Sequence, residues 1–155
     1  MLPKNILVPT DMSPHAEAAL DYACELASSL GATVHLVNVI GIPSYGVPEL
    51  GLAITSSMID AMIADNQKAL EALAARKRGT ATIGQILLKT GDARDSIDQT
   101  AKELGADLIV MGTHGRRGVT RALLGSVAET VVRTAPCPVL TIRRRDDKDR
   151  RRDAA

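Results

Sequence analysis

The chain contains no phenylalanine and no tryptophan, and its only phenol rings are those of Tyr22 and Tyr45. Its core must therefore be aliphatic, and aromatic platforms for stacking nucleic-acid bases or flavin rings are not available. Cys24 and Cys137 are too few for a disulfide framework and form no C-x-x-C pair, so both read as small buried hydrophobes. Net charge is also nearly absent, at +1, which gives no reason to expect nucleic acid or an acidic membrane surface as partner. No apolar run approaches the roughly 18 residues that a membrane span needs, and the N-terminus lacks a basic-then-apolar signal region. The expected location is cytoplasmic.

Catalytic signatures are missing too. There is no Gly-Lys pair and hence no P-loop, and no G-x-G-x-x-G follows the first apolar run. A Ser-Gly-Gly loop of the kind that ATP pyrophosphatases carry there is absent. So are a G-x-S-x-G elbow and any recognisable Cys–His or paired-carboxylate arrangement. His15, His35 and His114 are too widely spaced to suggest a metal triad.

What the chain does have is an alternation of apolar runs and helical patterns. At 155 residues it suits one domain, burying roughly 70% of its unfolded surface. Residues 4–9 read as a first strand. Ser13 as N-cap and Pro14 as first helical residue open a helix over 14–30, with Ala19, Tyr22, Ala23, Leu26, Ala27 and Leu30 on one side and Gly31 ending it. Residues 33–39 read as a second strand and 40–50, rich in glycine and proline, as a loop. A long helical segment over 52–78 follows, with Ile54, Met58, Met62, Leu70 and Leu73 at helical spacing and the methionines read as core filler. A third strand is expected over 82–88, then a helix capped by Asp92 and ending at Gly105, a fourth strand over 107–111, a short helix over 127–132 and a fifth strand over 138–142. Continuously apolar strands separated by helices argue an α/β fold whose parallel sheet is covered on both faces.

Between the fourth strand and its helix lies the most informative stretch: Gly112-x-x-Gly115, nine residues, then Gly125-Ser126. A strand, a glycine-punctuated loop and a helix start present backbone N–H groups to an anion. Gly112, Gly115 and Gly125 can take angles closed to other residues and admit a ligand close to the main chain. Ser126 adds a hydroxyl at the positive end of the helix, and Arg116, Arg117 and Arg121 strengthen the bias toward phosphate.

This spacing resembles the nucleotide-binding signature of the universal stress protein family, in its ATP-binding branch. The Val8-Pro9-Thr10-Asp11 opening, the Gly91 turn and the Pro136-Cys137-Pro138-Val139-Leu140 ending extend the resemblance over about residues 4–142. It implies a single Rossmann-like domain over 1–142 with strand order 3-2-1-4-5, which sets Pro9, Thr10 and Asp11 beside the glycine loop. It further implies that Asp11, the Val39 backbone and Gly91 face an adenine nucleotide. Met111, Gly112, His114, Gly115, Arg116, Gly125, Ser126 and Val127 would line the phosphate side. From the residues alone Asp11 is equally a capping residue at the helix entry, His114 is as readily structural as functional, and Gly91 is equally a simple turn.

The function implied is that of an ATP-binding regulatory protein in stress response, with Mg2+ or Mn2+ arriving on the phosphates. A slow ATPase or self-phosphorylating enzyme and a dimeric scaffold without nucleotide are the alternatives. The resemblance and the apolar strand at 138–142 both point to a homodimer through Val139–Ile142. Residues 143–155 carry seven basic and four acidic side chains and no apolar run, and read as a disordered charged tail.

Overall fold

A computed structural model describes residues 2–41, 56–113 and 124–143. Within them the order is β1 (Asn5–Pro9), α1 (Pro14–Leu30), β2 (Thr33–Ile40), α2 (Ser56–Lys77), β3 (Thr82–Thr90), α3 (Ala93–Leu104), β4 (Leu108–Gly112), α4 (Ser126–Thr134) and β5 (Val139–Ile142). The strands form one five-stranded sheet in the order β3-β2-β1-β4-β5, parallel at every pairing. The glycine-rich loop, the start of the second helical segment, residues 114–123 and the charged tail from 144 lie outside the described residues.

The helix boundaries follow their local chemistry. Ser13 caps α1, its hydroxyl accepting from Ala16 N–H at 3.2 Å, and Gly31 closes the helix in the left-handed region at φ 66°. Asp92 caps α3 by accepting from Arg94 N–H at 2.8 Å, and Gly105 ends it at φ 58°. Strand limits depend on neighbours instead. β3 runs to Thr90 rather than stopping at Leu88, because β2 itself continues to Ile40 and the registers Val39↔Lys89 and Ile40↔Thr90 hold the two together.

Alternation along the central strands divides the core in two. Ile6, Val8, Val34, Leu36 and Val110 face α1 and α2, while Leu7, Val37, Ile109 and Met111 face α3 and α4. The buried stripe of α1 is Ala16, Ala19, Leu20, Ala23, Cys24 and Ala27. Tyr22, placed on the core side by periodicity, is 44% exposed. That stripe follows the helical period through 16, 19, 20, 23, 24 and 27, and position 22 is rotated more than about 90° away from its centre, so Tyr22 falls on the flank. Met58 is likewise no core filler, being 59% exposed: only Leu70, Leu73 and Ala74 in the later turns of α2 are buried. Cys24 is buried and Cys137 half-buried, and burial pushes both thiols up, which keeps them protonated and unreactive. Among the described residues no helix is long and apolar enough to cross a membrane.

With β1 at the centre, the chain winds one way through β2 and β3 and the other through β4 and β5. The winding reverses between β1 and β4, and in open α/β sheets the carboxyl ends of the strands at such a switch point are where a ligand crevice forms.

Candidate functional site

The first wall of the crevice is the turn leaving β1. Pro9 ends the strand, and Thr10 N–H makes one more bond to Val37 carbonyl at 2.8 Å. Two side chains then hold the turn in sequence: Thr10 Oγ1 accepts from Met12 N–H and Asp11 Oδ1 from Ser13 N–H, each at 3.0 Å. Between them Met12 takes φ 62°, uncommon for a residue with a side chain. Asp11 therefore does have a turn-forming role at the helix entry. Thr10 is 5% exposed, its hydroxyl taken up by the turn.

The second wall comes from the ends of β2 and β3. Val39 lies in β2, half-buried against the α3–α4 side. Gly91 takes φ 126°, where a side chain is strained, and its N–H donates to Ile40 carbonyl at 3.0 Å. The turn after β3 is thereby fastened to the end of β2, and the backbone there requires glycine. Sequence reasoning passed over Asn38, which is 4% exposed and donates from Nδ2 to Thr10 carbonyl at 2.7 Å. A side-chain amide in a buried, mostly apolar strand was the available signal.

The third wall is the exit of β4. Met111 is buried. A Cβ on Gly112 would stand 3.0 Å from His15 carbonyl oxygen, so the close approach that needs glycine here is made by the backbone at the start of α1. Thr113 N–H donates to Ile142 carbonyl at 3.1 Å, and Gly125 N–H donates to Thr113 carbonyl at 2.7 Å. The two ends of the glycine loop are thus pinned together, and α4 begins directly beyond β4. Gly125, the N-cap, has φ −60° and ψ 147°, open to any residue, so its contribution is not conformational freedom. It makes no side-chain cap bond to the first amides of α4. Ser126 is exposed at the helix start and Val127 packs partly against the α3–α4 core. His114, Gly115 and Arg116 lie outside the described residues.

The topology accordingly brings together the Pro9–Thr10–Asp11 turn, Val39, Gly91, and the Gly112 and Gly125–Ser126 ends of the glycine loop along one edge of the sheet. A helix start with glycine as its N-cap, close to a strand switch point, is suited chemically to an anionic group.

Comparison with known proteins agrees with this architecture. Residues 3–143 match the sequence profile of the universal stress protein family. Universal stress protein MJ0531 of Methanocaldococcus jannaschii is 35% identical over 145 residues, covering 91% of this chain and 82% of the relative. Among solved structures, universal stress protein UspA from Lactobacillus plantarum superposes with a TM-score of 0.77 at 31% identity, over 90% of this chain and 97% of that one. The universal stress protein from Archaeoglobus fulgidus in complex with dAMP gives a TM-score of 0.63 at 27% identity, over 92% and 99%. A doubly wound sheet in the order 3-2-1-4-5, a glycine loop closed at the end of β4 and a match spanning nearly the whole chain lead to one conclusion: this chain belongs to the universal stress protein family.

Proposed function

We propose that the chain binds an adenine nucleotide at the β1–β4 switch point, as a member of the ATP-binding branch of its family, and that nucleotide occupancy biases a partner interaction or an assembly state. The observation that carries this reading is the Gly125 N–H bond to Thr113 carbonyl, which joins the two ends of the glycine loop and sets the α4 start directly beyond β4, the strand that neighbours β1 at the switch point. Phosphates would lie against Met111, Gly112, His114, Gly115, Arg116, Gly125, Ser126 and Val127, with the base and ribose toward Pro9, Thr10, Asp11, Val39 and Gly91. The described residues fit such a ligand, because the N-cap of α4 is a glycine with no side chain to occupy the helix start, where an anion gains most. The dAMP held by the Archaeoglobus fulgidus relative supports an adenine base. ATP would bring Mg2+ or Mn2+ on its phosphates, the ion keeping several waters.

Calorimetric titration of the protein with Mg-ATP tests the proposal. Gly125→Asp sets a carboxylate at the helix start and should abolish binding. Ser126→Ala removes one neutral hydrogen bond and should weaken binding about two- to tenfold. A parent protein that gives no heat with Mg-ATP, ADP or AMP would overturn the reading, and so would a folded Gly125→Asp variant that binds like the parent.

A further inference from the structure

The register between β1 and β2 ends at Pro9↔Val37. Thr10 N–H still reaches Val37 carbonyl at 2.8 Å. In a parallel ladder the reciprocal bond would run from Val39 N–H to Thr10 carbonyl. That carbonyl is instead held by Asn38 Nδ2 at 2.7 Å. Main-chain groups of β2 alternate in direction. Thr33 N–H and Val37 carbonyl bond toward β1, whereas Ile40 carbonyl bonds toward Gly91 after β3. Val39 N–H therefore faces the β1 side, beyond the end of that strand, and meets no acceptor among the described residues there. Asn38 is 4% exposed, and its Oδ1 also finds no partner among the described residues. Burying an amide costs free energy that its hydrogen bonds must offset, and here the bond to Thr10 carbonyl supplies that compensation.

We propose that Asn38 is a positioning residue, which takes the Thr10 carbonyl in place of Val39 N–H, ends the β1–β2 ladder one step early and leaves the Val39 main chain open to a ligand in the crevice. A side chain mimicking the next rung thus opens a backbone donor on β2. The ligand assigned to that opening is the adenine nucleotide of the proposed function, and to that extent the inference rests on it.

Residue-resolved amide hydrogen exchange, on protein free of nucleotide, tests the ladder directly. In the parent, Val39 N–H should exchange at least about tenfold faster than Val37 N–H, which is bonded within the sheet. Asn38→Leu keeps similar volume and removes the donor. It should slow Val39 exchange toward that of Val37, as the freed Thr10 carbonyl captures the Val39 amide, and weaken Mg-ATP binding about tenfold at unchanged far-UV circular dichroism. Asn38→Ala should move both readouts the same way. Equal protection of Val39 and Val37 in the parent would overturn the inference, a result that needs no variant to fold. Folded Asn38→Leu and Asn38→Ala proteins with parental exchange and affinity would overturn it as well. A parent that ignores adenine nucleotides while Val39 exchanges fast removes the proposed function and leaves the positioning role of Asn38 standing.

Discussion

Gly84 sits in β3 beneath the His35 ring, and a Cβ there would stand 2.6 Å from His35 Cε1 and 2.7 Å from Thr33 Cγ2. His35 cannot easily swing away, because it is buried and its Nδ1 accepts from Gln85 N–H at 3.0 Å. Gly84→Ala should therefore cost about 1–3 kcal/mol in denaturant unfolding, the range for overpacking a filled site. Adding His35→Ala should recover part of that loss; no recovery would show that the ring is not the obstacle. Gly112→Ala meets backbone rather than a side chain, with His15 carbonyl oxygen 3.0 Å from the new Cβ. It should lower stability by a similar amount, about 1–3 kcal/mol, and no single side-chain truncation should rescue it. The glycine pattern reads as phosphate chemistry in the sequence, yet at Gly112 the close approach is made by α1.

At the scale of elements, β2 and β3 are joined through an imidazole. Burial lowers the pKa of His35, and Nδ1 accepts a backbone N–H, so the folded state holds the ring neutral. The unfolded chain, with an ordinary imidazole titrating near about 6.5, then binds the proton more readily than the folded one. The stability due to the neutral ring is complete above that pH and is lost as pH falls from it toward the lowered folded value. Melting temperature should accordingly drop between pH 7.5 and 5, and His35→Gln, which can still accept from Gln85, should flatten the drop. An unchanged slope in that variant would assign the effect to another group. Asp107 acts lower on the scale. Its Oδ2 accepts from Lys4 and Asn5 N–H at 2.9 Å each, and those bonds hold its carboxyl below the ordinary carboxylate range. This tether between the start of β1 and β4 is present above the usual carboxylate pKa and fails as pH falls through the lowered value.

At the scale of the whole molecule, β5 forms an edge of the sheet and, among the described residues, pairs only with β4. Its side chains are half-buried: Val139 packs on the α3–α4 core, Leu140 and Ile142 on the α1–α2 core. Pro138 and Ile142 carbonyls bond toward β4, so by alternation the main-chain groups of Val139 and Thr141 face outward. We expect a homodimer paired along this edge. Thr141→Pro deletes one outward N–H while sparing the bonds to β4, and light scattering should then show monomers or a much weaker dimer with circular dichroism near native. A dimer that persists unchanged would place the interface elsewhere.

The sequence determined what short-range chemistry decides. Ser13, Asp92, Gly31 and Gly105 start and stop helices because a hydroxyl, a carboxylate or a left-handed glycine meets backbone groups only a few residues away. Apolar runs likewise named every strand, and resemblance supplied their order. Tertiary structure alone decided the rest, since each remaining feature depends on a partner distant in the chain. Tyr22 lies off the helix face assigned to it because the sheet meets α1 along the line of Ala16, Leu20, Ala23 and Ala27. Asn38, 28 residues from Thr10, gained its role from a carbonyl brought beside it by strand pairing. Gly112 needs its hydrogen because α1 crosses over it, and the glycine loop closes through a bond between Thr113 and Gly125. Spacing along the chain can record that such residues exist, but the contact that gives each its function forms only when the sheet assembles.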